Sequence, residues 1–141
     1  MIEVVPEDFT QAVVAGTHNM LTHMRDELPN ECVGMLMSDS TVVKLINQAR
    51  SPSRFEVGLP QMADALAAID PDTRTVFAIY HSHPNGSLDL SPYDQTSMRD
   101  MWTYGGLPIP WIVVTATQSR IWWMDDHYHA FQSSDVETLV A

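Results

Sequence analysis

Residues 75–94 read TVFAIYHSHPNGSLDLSPYD, and both the fold and the chemistry of the chain can be worked out from this stretch. The first six residues are β-branched, aromatic or apolar, which predicts a buried strand whose end carries His81. Side chains alternate along a strand, so His81 and His83 can point to the same side while Ser82 points to the other. Two imidazoles placed in this way can share one metal ion.

A helix is predicted to begin where this stretch ends. Ser91 is a favourable N-cap, Pro92 suits the first helical position, and residues 95–102 include good helix formers. Asp94 then lies in the first turn, where the helix dipole favours a carboxylate that projects toward the preceding loop. The pair Asn85-Gly86 gives that loop the positive φ it needs to turn back. The strand, loop and helix together are predicted to bring three side chains close to one another: His81, His83 and Asp94.

This set of side chains suits a catalytic zinc ion. Two imidazole nitrogens and one carboxylate leave tetrahedral Zn²⁺ one ligand short, and catalytic zinc sites keep that position for water. Bound zinc lowers the pKa of water from ~15.7 toward ~7, so hydroxide becomes available near neutral pH. The alternative is a polar loop with incidental histidines, because surface His-x-His pairs are common. The added carboxylate and the strand-to-helix context favour the metal site and hydrolysis.

The spacing resembles the signature of the JAMM (MPN+, Mov34/PAD-1-like) zinc metalloprotease family, in its prokaryotic or phage-type single-domain form. The matching residues are His81-x-His83-Pro84, then six residues, Ser91, two residues and Asp94. The family also uses an upstream glutamate in a Glu-x-x-Gly context, which Glu31-Cys32-Val33-Gly34 supplies. The resemblance implies three roles, namely ligands of one Zn²⁺ ion with its bound water, a general acid/base, and a stabiliser of the tetrahedral intermediate. In this sequence His81, His83 and Asp94 match the zinc ligands, Glu31 matches the general acid/base, and Ser91 matches the stabiliser of the intermediate.

The function implied by this resemblance is zinc-dependent hydrolysis of peptide or isopeptide bonds, in which the metal-bound water attacks the carbonyl and Glu31 moves the proton. Substrates in the family are typically C-terminal tails of ubiquitin-like or sulfur-carrier proteins, and a tail could lie as an extra strand beside a sheet edge. The alternative is a non-catalytic MPN-type structural or interaction module, for example in a phage tail or another large assembly. A scaffold has no need for Glu31, so the five polar positions together favour the enzyme.

Hydrophobic periodicity predicts the α/β class, with a mixed central sheet flanked by helices. The family resemblance implies that these elements form the layered architecture of the MPN/JAMM and cytidine-deaminase-like folds. A single domain, 1–141, is expected. The predicted helices cover residues 6–28, 60–69 and about 91–102. The predicted strands cover 33–37 and 41–46 as a hairpin, a short 54–57, 75–81, 111–117, 120–124 and about 127–131.

Composition excludes several classes of function. The chain has 141 residues, 45% of them hydrophobic, which is enough for one core. Eighteen acidic and seven scattered basic residues give a net charge of −11, so no basic patch is expected to bind nucleic acid. With no apolar run of membrane-spanning length and no signal-peptide pattern at the start, we expect a cytoplasmic protein without a membrane partner, or a virion-associated one if phage-encoded. Both a homodimer and a larger assembly stay open.

Other reactive side chains are interpreted more simply. Cys32 neighbours the proposed base, but strand alternation turns it away from Glu31, so a buried thiol is favoured over a Cys/His hydrolase. His18 and His23 are expected on the surface of the first helix. His127 and His129 repeat the His-x-His pattern without a following carboxylate, which favours a polar strand face. In the pair Trp122-Trp123, one indole is expected in the core and the other at a substrate or partner surface.

Overall fold

A computed structural model describes residues 7–125, 127 and 130–137 of the chain, with side chains from 11 to 125 and at 127. Three helices and six strands are present in this part. The helices are α1 (Glu7–Glu27), α2 (Leu59–Ala67) and α3 (Pro92–Thr103). The strands are β1 (Val33–Met37), β2 (Val42–Leu45), β3 (Val76–Ser82), β4 (Trp111–Val114), β5 (Gln118–Met124) and β6 (Ala130–Glu137).

The strands form one mixed sheet in the order β2-β1-β3-β4-β5-β6. Only the central pair, β3 and β4, is parallel, and α3 lies in the crossover between these two strands. The other neighbouring strands pair antiparallel. The predicted α/β class, with a mixed sheet flanked by helices, is confirmed.

The helices cover opposite faces of the sheet because the strand side chains alternate. On one face, α1 packs its buried stripe against alternate residues of the central strands, among them Leu36, Tyr80 and Ile112. On the other face, Met62 of α2 and Met98 of α3 pack with the intervening strand residues, including Ile79 and Trp111. His81 in β3 and His83, directly after the strand, follow Ile79 by two and by four positions, so the imidazoles belong to the face of α2 and α3.

Three of the predicted strands are absent or differ from the structure by three or more residues at one or both ends, and the strand predicted at 120–124 begins two residues earlier, at Gln118. Residues 54–57 form no strand, although the backbone N–H of Gln48 donates to the carbonyl of Glu56 at 2.8 Å. The last strand begins at Ala130, later than the predicted 127, and runs to Glu137. The strand from Trp111 ends at Val114, because the hydroxyl of Thr115 turns the chain by accepting the N–H of Gln118 and donating to its carbonyl oxygen.

No helix within the described residues is long and apolar enough to span a membrane. The longest, α1, has exposed polar residues such as Gln11, His18 and Asn19 opposite its buried stripe. It is therefore an amphipathic helix that covers one face of the sheet.

Candidate metal centre

Three ligand atoms converge at the carboxyl end of β3. The Nε2 atoms of His81 and His83 are 3.2 Å apart, and Asp94 Oδ2 lies 3.2 Å from the first and 3.0 Å from the second. All three side chains are buried. A carboxylate oxygen of Glu31 completes a set of four in which the ligand atoms lie within 4.8 Å of one another.

The triangle of His81, His83 and Asp94 has the dimensions of one face of a zinc tetrahedron. With zinc–ligand distances near 2.0–2.1 Å, tetrahedral ligands lie about 3.3 Å from one another. The three observed separations, 3.0–3.2 Å, are within a few tenths of an ångström of that value. Asp94 Oδ1 is buried without a hydrogen-bond partner, an arrangement that costs about 1–3 kcal/mol in a site that no cation balances. The residues present therefore fit a zinc ion, and His81, His83 and Asp94 are the ones that would hold it.

Glu31 reaches this site through the pairing of β1 with β3. Val33 lies opposite His81 in the antiparallel register, and continuing that register by two residues places Glu31 opposite His83. Glu31 Oε2 is 3.9 Å from His83 Nε2, outside the tighter triangle, and Glu31 Oε1 is buried without a hydrogen-bond partner. The carboxylate is thus near the three ligand atoms and keeps an oxygen free to accept a proton.

The backbone of Glu31 is held from two directions. Its N–H donates to the carbonyl of Ser51 at 2.8 Å, and its carbonyl accepts from Asn47 Nδ2 at 3.0 Å. The same Asn47 amide nitrogen donates to the carbonyl of Arg54 at 3.1 Å, so one buried side chain joins the two segments. Sequence reasoning missed this residue. The only signal was an asparagine directly after an apolar strand.

The glycine of the Glu-x-x-Gly pattern has a packing reason. Gly34 pairs with Tyr80 across β1 and β3, and a Cβ atom at Gly34 would overlap the phenol ring. The Tyr80 hydroxyl is hydrogen-bonded to Nδ1 of the buried His23 at 2.7 Å. The absence of a side chain at Gly34 therefore lets the ring fill the α1 face of the sheet directly behind the candidate metal centre.

His83 is oriented by the loop that follows it. Its Nδ1 lies 3.0 Å from the carbonyl oxygen of Ser87, which fixes the tautomer so that Nε2 is left for a metal. His81 has no such partner, since its Nδ1 is buried without a hydrogen bond. Its ring is instead packed between Phe55 and Trp111, with centroids 4.7 Å and 5.7 Å away. Neither Ser87 nor Phe55 could be identified from local spacing.

Ser91 performs the predicted capping of α3. Its hydroxyl oxygen accepts the N–H of Asp94 at 3.0 Å, while its own N–H donates to Asp94 Oδ2, also at 3.0 Å. This reciprocal capping box aims the carboxylate at the imidazoles. A serine hydroxyl that accepts one bond still has a hydrogen to donate. The catalytic role expected for Ser91 stays a prediction.

The pKa shifts of Asp94 and His81 suit metal ligands, whereas that of His83 is in the opposite direction. Burial lowers the pKa of His81 below its ordinary value. Burial opposes ionisation of Asp94, but hydrogen bonds to the two imidazoles outweigh it and hold the pKa of that carboxyl below its usual range. Burial also acts to lower the pKa of His83, but the neighbouring Asp94 and Glu31 carboxylates raise it overall. An ionised aspartate and a neutral His81 are the forms that bind a metal.

The pKa of Glu31 is shifted in the opposite direction to that of Asp94. Burial raises the pKa of the Glu31 carboxyl to about 8, with a further contribution from the charge of Asp94 and an opposing one from His83. Two carboxyl groups in one site, one with a raised pKa and one with a lowered pKa, are typical of a general acid/base beside a metal ligand.

The remaining predictions for reactive side chains have mixed outcomes. Cys32 is buried, so the prediction of a buried thiol is confirmed, and burial raises the pKa of this thiol to about 11. His18 is exposed as expected, but the surface position predicted for His23 is wrong, because its side chain is only 2% exposed against Tyr80. His127 is exposed and precedes β6, while His129 lies outside the described residues.

The two adjacent tryptophans separate as predicted. Trp123 is buried in the core on the α1 face. Trp122 is half-buried on the other face, and its indole Nε1 donates to the carbonyl of Leu88 at 3.0 Å. Trp122 therefore supports the loop between His83 and Ser91.

Comparisons with known proteins agree with this geometry. The model of a family described as prokaryotic homologs of the JAB domain matches residues 14–125. Among solved structures, the chain is similar to protein DSY2949 from Desulfitobacterium hafniense, with a TM-score of 0.63 and 18% sequence identity over 84% of this chain and 85% of that one. At that identity the likeness shows the fold alone. A search of curated proteins found no match.

The family match covers well over half of the chain, and it contains the whole candidate metal centre, from Glu31 to Asp94. It also contains α2, α3 and the five strands β1 to β5. The chain belongs to the family of prokaryotic homologs of the JAB domain.

Proposed function

We propose that the protein is a zinc-dependent hydrolase of peptide or isopeptide bonds that acts on the C-terminal tail of a ubiquitin-like or sulfur-carrier protein. The observation that carries this proposal is the position of Glu31. Its carboxylate is buried beside the His81, His83 and Asp94 triangle, yet 3.9 Å from the nearest imidazole nitrogen and with one oxygen unbonded. A purely structural metal site would be closed by a fourth ligand.

Zinc held by His81, His83 and Asp94 would supply a Lewis acid that lowers the pKa of water. Glu31 accepts the proton released when a nucleophilic water attacks the scissile carbonyl, and later donates it to the leaving amine. Its raised pKa, about 8, suits a group that must both take and return a proton near neutral pH. The Ser91 hydroxyl donates a hydrogen bond to the carbonyl oxygen as negative charge develops there.

The test is cleavage of conjugates whose scissile bond follows the tail of a ubiquitin-like or sulfur-carrier protein, with Glu31→Gln as the key variant. Wild-type protein is expected to cleave at least one conjugate. Glu31→Gln keeps the shape of the side chain but cannot accept the proton, so we expect kcat to fall by about 10²–10⁴-fold while zinc content stays at the wild-type level.

Asp64→Asn is the matched control, because Asp64 is an exposed carboxylate on α2 that loses its charge in the same way. This variant is expected to cleave at the wild-type rate. Full activity in Glu31→Gln would refute Glu31 as the base. A wild-type protein that binds zinc, cleaves no conjugate and copurifies in a large assembly would favour the non-catalytic interaction module.

A further inference from the structure

A long groove lies on the same face of the sheet as the candidate metal centre. It has a volume of about 680 Å³ and runs between α2 and α3. Its walls come from one stripe of each helix, because the lining residues recur at helical spacing. The α2 wall is Leu59, Met62, Ala63 and Leu66, and the α3 wall is Tyr93, Ser97, Asp100, Met101 and Tyr104.

The groove adjoins the candidate metal centre, although Glu31, His81, His83 and Asp94 are not among its lining residues. Phe55 and Trp111 line the groove and also pack against the His81 ring, with centroids 4.7 Å and 5.7 Å from it. Tyr93, at the start of the α3 wall, directly precedes Asp94. A chain lying in the groove would therefore have one end at the Phe55 and Trp111 rings, which pack against the ring of His81.

The length of the groove limits what it can hold. Its α3 wall runs from Tyr93 to Tyr104, eleven residues further on, which is about 16 Å at 1.5 Å per helical residue. An extended peptide rises about 3.3 Å per residue, so about five residues would span that wall.

The lining is mainly apolar and includes two acidic residues. Leu59 and Tyr104 are 83% and 86% exposed, so two large apolar side chains of the lining face solvent and are open to contact by a ligand. Glu56 and Asp100 are exposed carboxylates of the lining. Neither lies within ion-pair distance of a basic side chain in the part of the chain that the structure describes.

Two further groups refine this chemistry. Trp111 lines the groove, and its indole N–H is buried without a hydrogen-bond partner among the described residues, so an unsatisfied donor lies within the wall of the groove. The Arg54 guanidinium lies 5.6 Å from the centre of the Tyr93 ring, at the metal end. A basic group of a ligand is therefore expected farther along, beside Asp100.

We propose that this α2–α3 groove binds an extended peptide of about five residues on one side of the scissile bond, with apolar side chains on its floor and a basic side chain facing Asp100 and Glu56. This inference rests on the proposed hydrolase function and adds the chemistry of the segment that the site would select. The net charge of the chain, −11, attracts such a basic segment from a distance.

Binding of labelled peptides tests the proposal without requiring turnover. Fluorescence anisotropy would compare three eight-residue peptides on zinc-loaded Glu31→Gln protein. The first is apolar with one arginine, the second has glutamate in place of the arginine, and the third has serine in place of the apolar residues. We expect the first peptide to bind at least tenfold more tightly than either of the others.

Charge reversal identifies the groove as the site. In the pair of substitutions Glu56→Lys and Asp100→Lys, we expect the arginine peptide to lose at least tenfold in affinity and the glutamate peptide to gain. The matched control is Asp64→Lys with Asp72→Lys, two exposed carboxylates outside the lining that change the net charge equally. This control is expected to change both affinities by less than threefold.

A second variant and a length series complete the test. Leu59→Ser with Tyr104→Ser removes two highly exposed apolar side chains, so the fold is retained while the apolar peptide loses affinity. Shortening the arginine peptide is expected to weaken binding only once fewer than about five residues remain in the groove. Equal binding of all three peptides, equal losses in the control pair, or no effect of the serine variant would overturn the groove proposal.

The two proposals fail in different ways. If wild-type protein cleaves a conjugate but the groove variants leave KM unchanged, the groove proposal is wrong and the hydrolase proposal stands. If the peptides bind with the expected preference but wild-type protein cleaves nothing, the groove stands and the hydrolase proposal is wrong.

Discussion

The contact between Gly34 and Tyr80 shows how residues outside the metal centre support the strands that position its side chains. The phenol ring occupies the space that a side chain at position 34 would need, and its hydroxyl bonds to the buried His23. The ring therefore fills the layer between the sheet and α1 behind β1 and β3, the strands that carry Glu31 and His81 to the site.

Gly34→Ala is expected to destabilise the protein by about 1–3 kcal/mol, because the added methyl group overlaps the ring of Tyr80 and forces the strands apart. Urea unfolding measures this change. Gly58→Ala is the control, since its φ of −67° suits alanine and the nearest atom to the new Cβ belongs to the flexible Gln48 side chain. Equal unfolding midpoints for Gly34→Ala and the wild type would contradict the packing argument.

His23 is expected to make stability depend on pH. Burial lowers the pKa of its imidazole below 6.5; the charges of Glu27 and Asp26 oppose this shift, and that of Lys44 adds to it. The folded protein then binds fewer protons than the unfolded chain, so the free energy of unfolding falls as the pH drops below about 6.5. His23→Asn keeps an acceptor for the Tyr80 hydroxyl but cannot titrate.

Urea unfolding at pH 7.5 and pH 5.5 measures the contribution of His23. The loss of stability between the two values should be smaller in His23→Asn than in the wild type. His18→Asn, at an exposed position on the same helix, should retain the wild-type loss. An unchanged pH dependence in His23→Asn would show that the buried imidazole does not titrate as described.

At the scale of elements, β5 holds the loop of residues 84–90 in place. Trp122 donates its indole N–H to the carbonyl of Leu88, and Arg120 pairs with Asp89 at 2.9 Å. The same loop presents the Ser87 carbonyl to His83. The orientation of one candidate ligand thus depends on a strand that contributes no ligand itself.

Trp122→Phe is expected to weaken zinc binding about 10-fold or more, since loss of the bond to Leu88 loosens the loop that orients His83. Competition with a chromophoric zinc chelator measures the affinity. Trp102→Phe is the matched control, because it also loses an indole bond, to the Ile109 carbonyl at 2.7 Å, away from the loop. Equal zinc affinities in the two variants would show that β5 does not position His83.

Local elements were the part of the fold that the sequence predicted well. The strand, loop and N-cap from 75 to 94 depend on nearest-neighbour chemistry, so the β3–α3 unit could be derived directly. The strand predicted at 54–57 is absent because Phe55 packs against His81 while Asn47 bonds the backbone on either side of it. Such long-range contacts leave no periodic signal.

At the scale of the whole molecule, the candidate site depends on sheet register. Glu31 and His83 are distant in sequence, and the antiparallel pairing of β1 with β3 places them side by side. The family resemblance predicted that these residues belong together, whereas the role of Asn47, the bond from Trp122 to Leu88 and the α2–α3 groove became visible only with tertiary structure. The sheet also separates the functions of its faces, because α1 covers one while the metal centre and groove share the other.

Zinc stoichiometry by elemental mass spectrometry of the purified protein is the most direct test of the central claim. We predict about one zinc ion per chain in the wild type and in Glu31→Gln, and almost none in Asp94→Ala, which removes the oxygen common to both imidazole contacts. His127→Ala, at an exposed histidine away from the site, should retain the ion. A wild-type protein without zinc after refolding in its presence, or full zinc content in Asp94→Ala, would contradict the account.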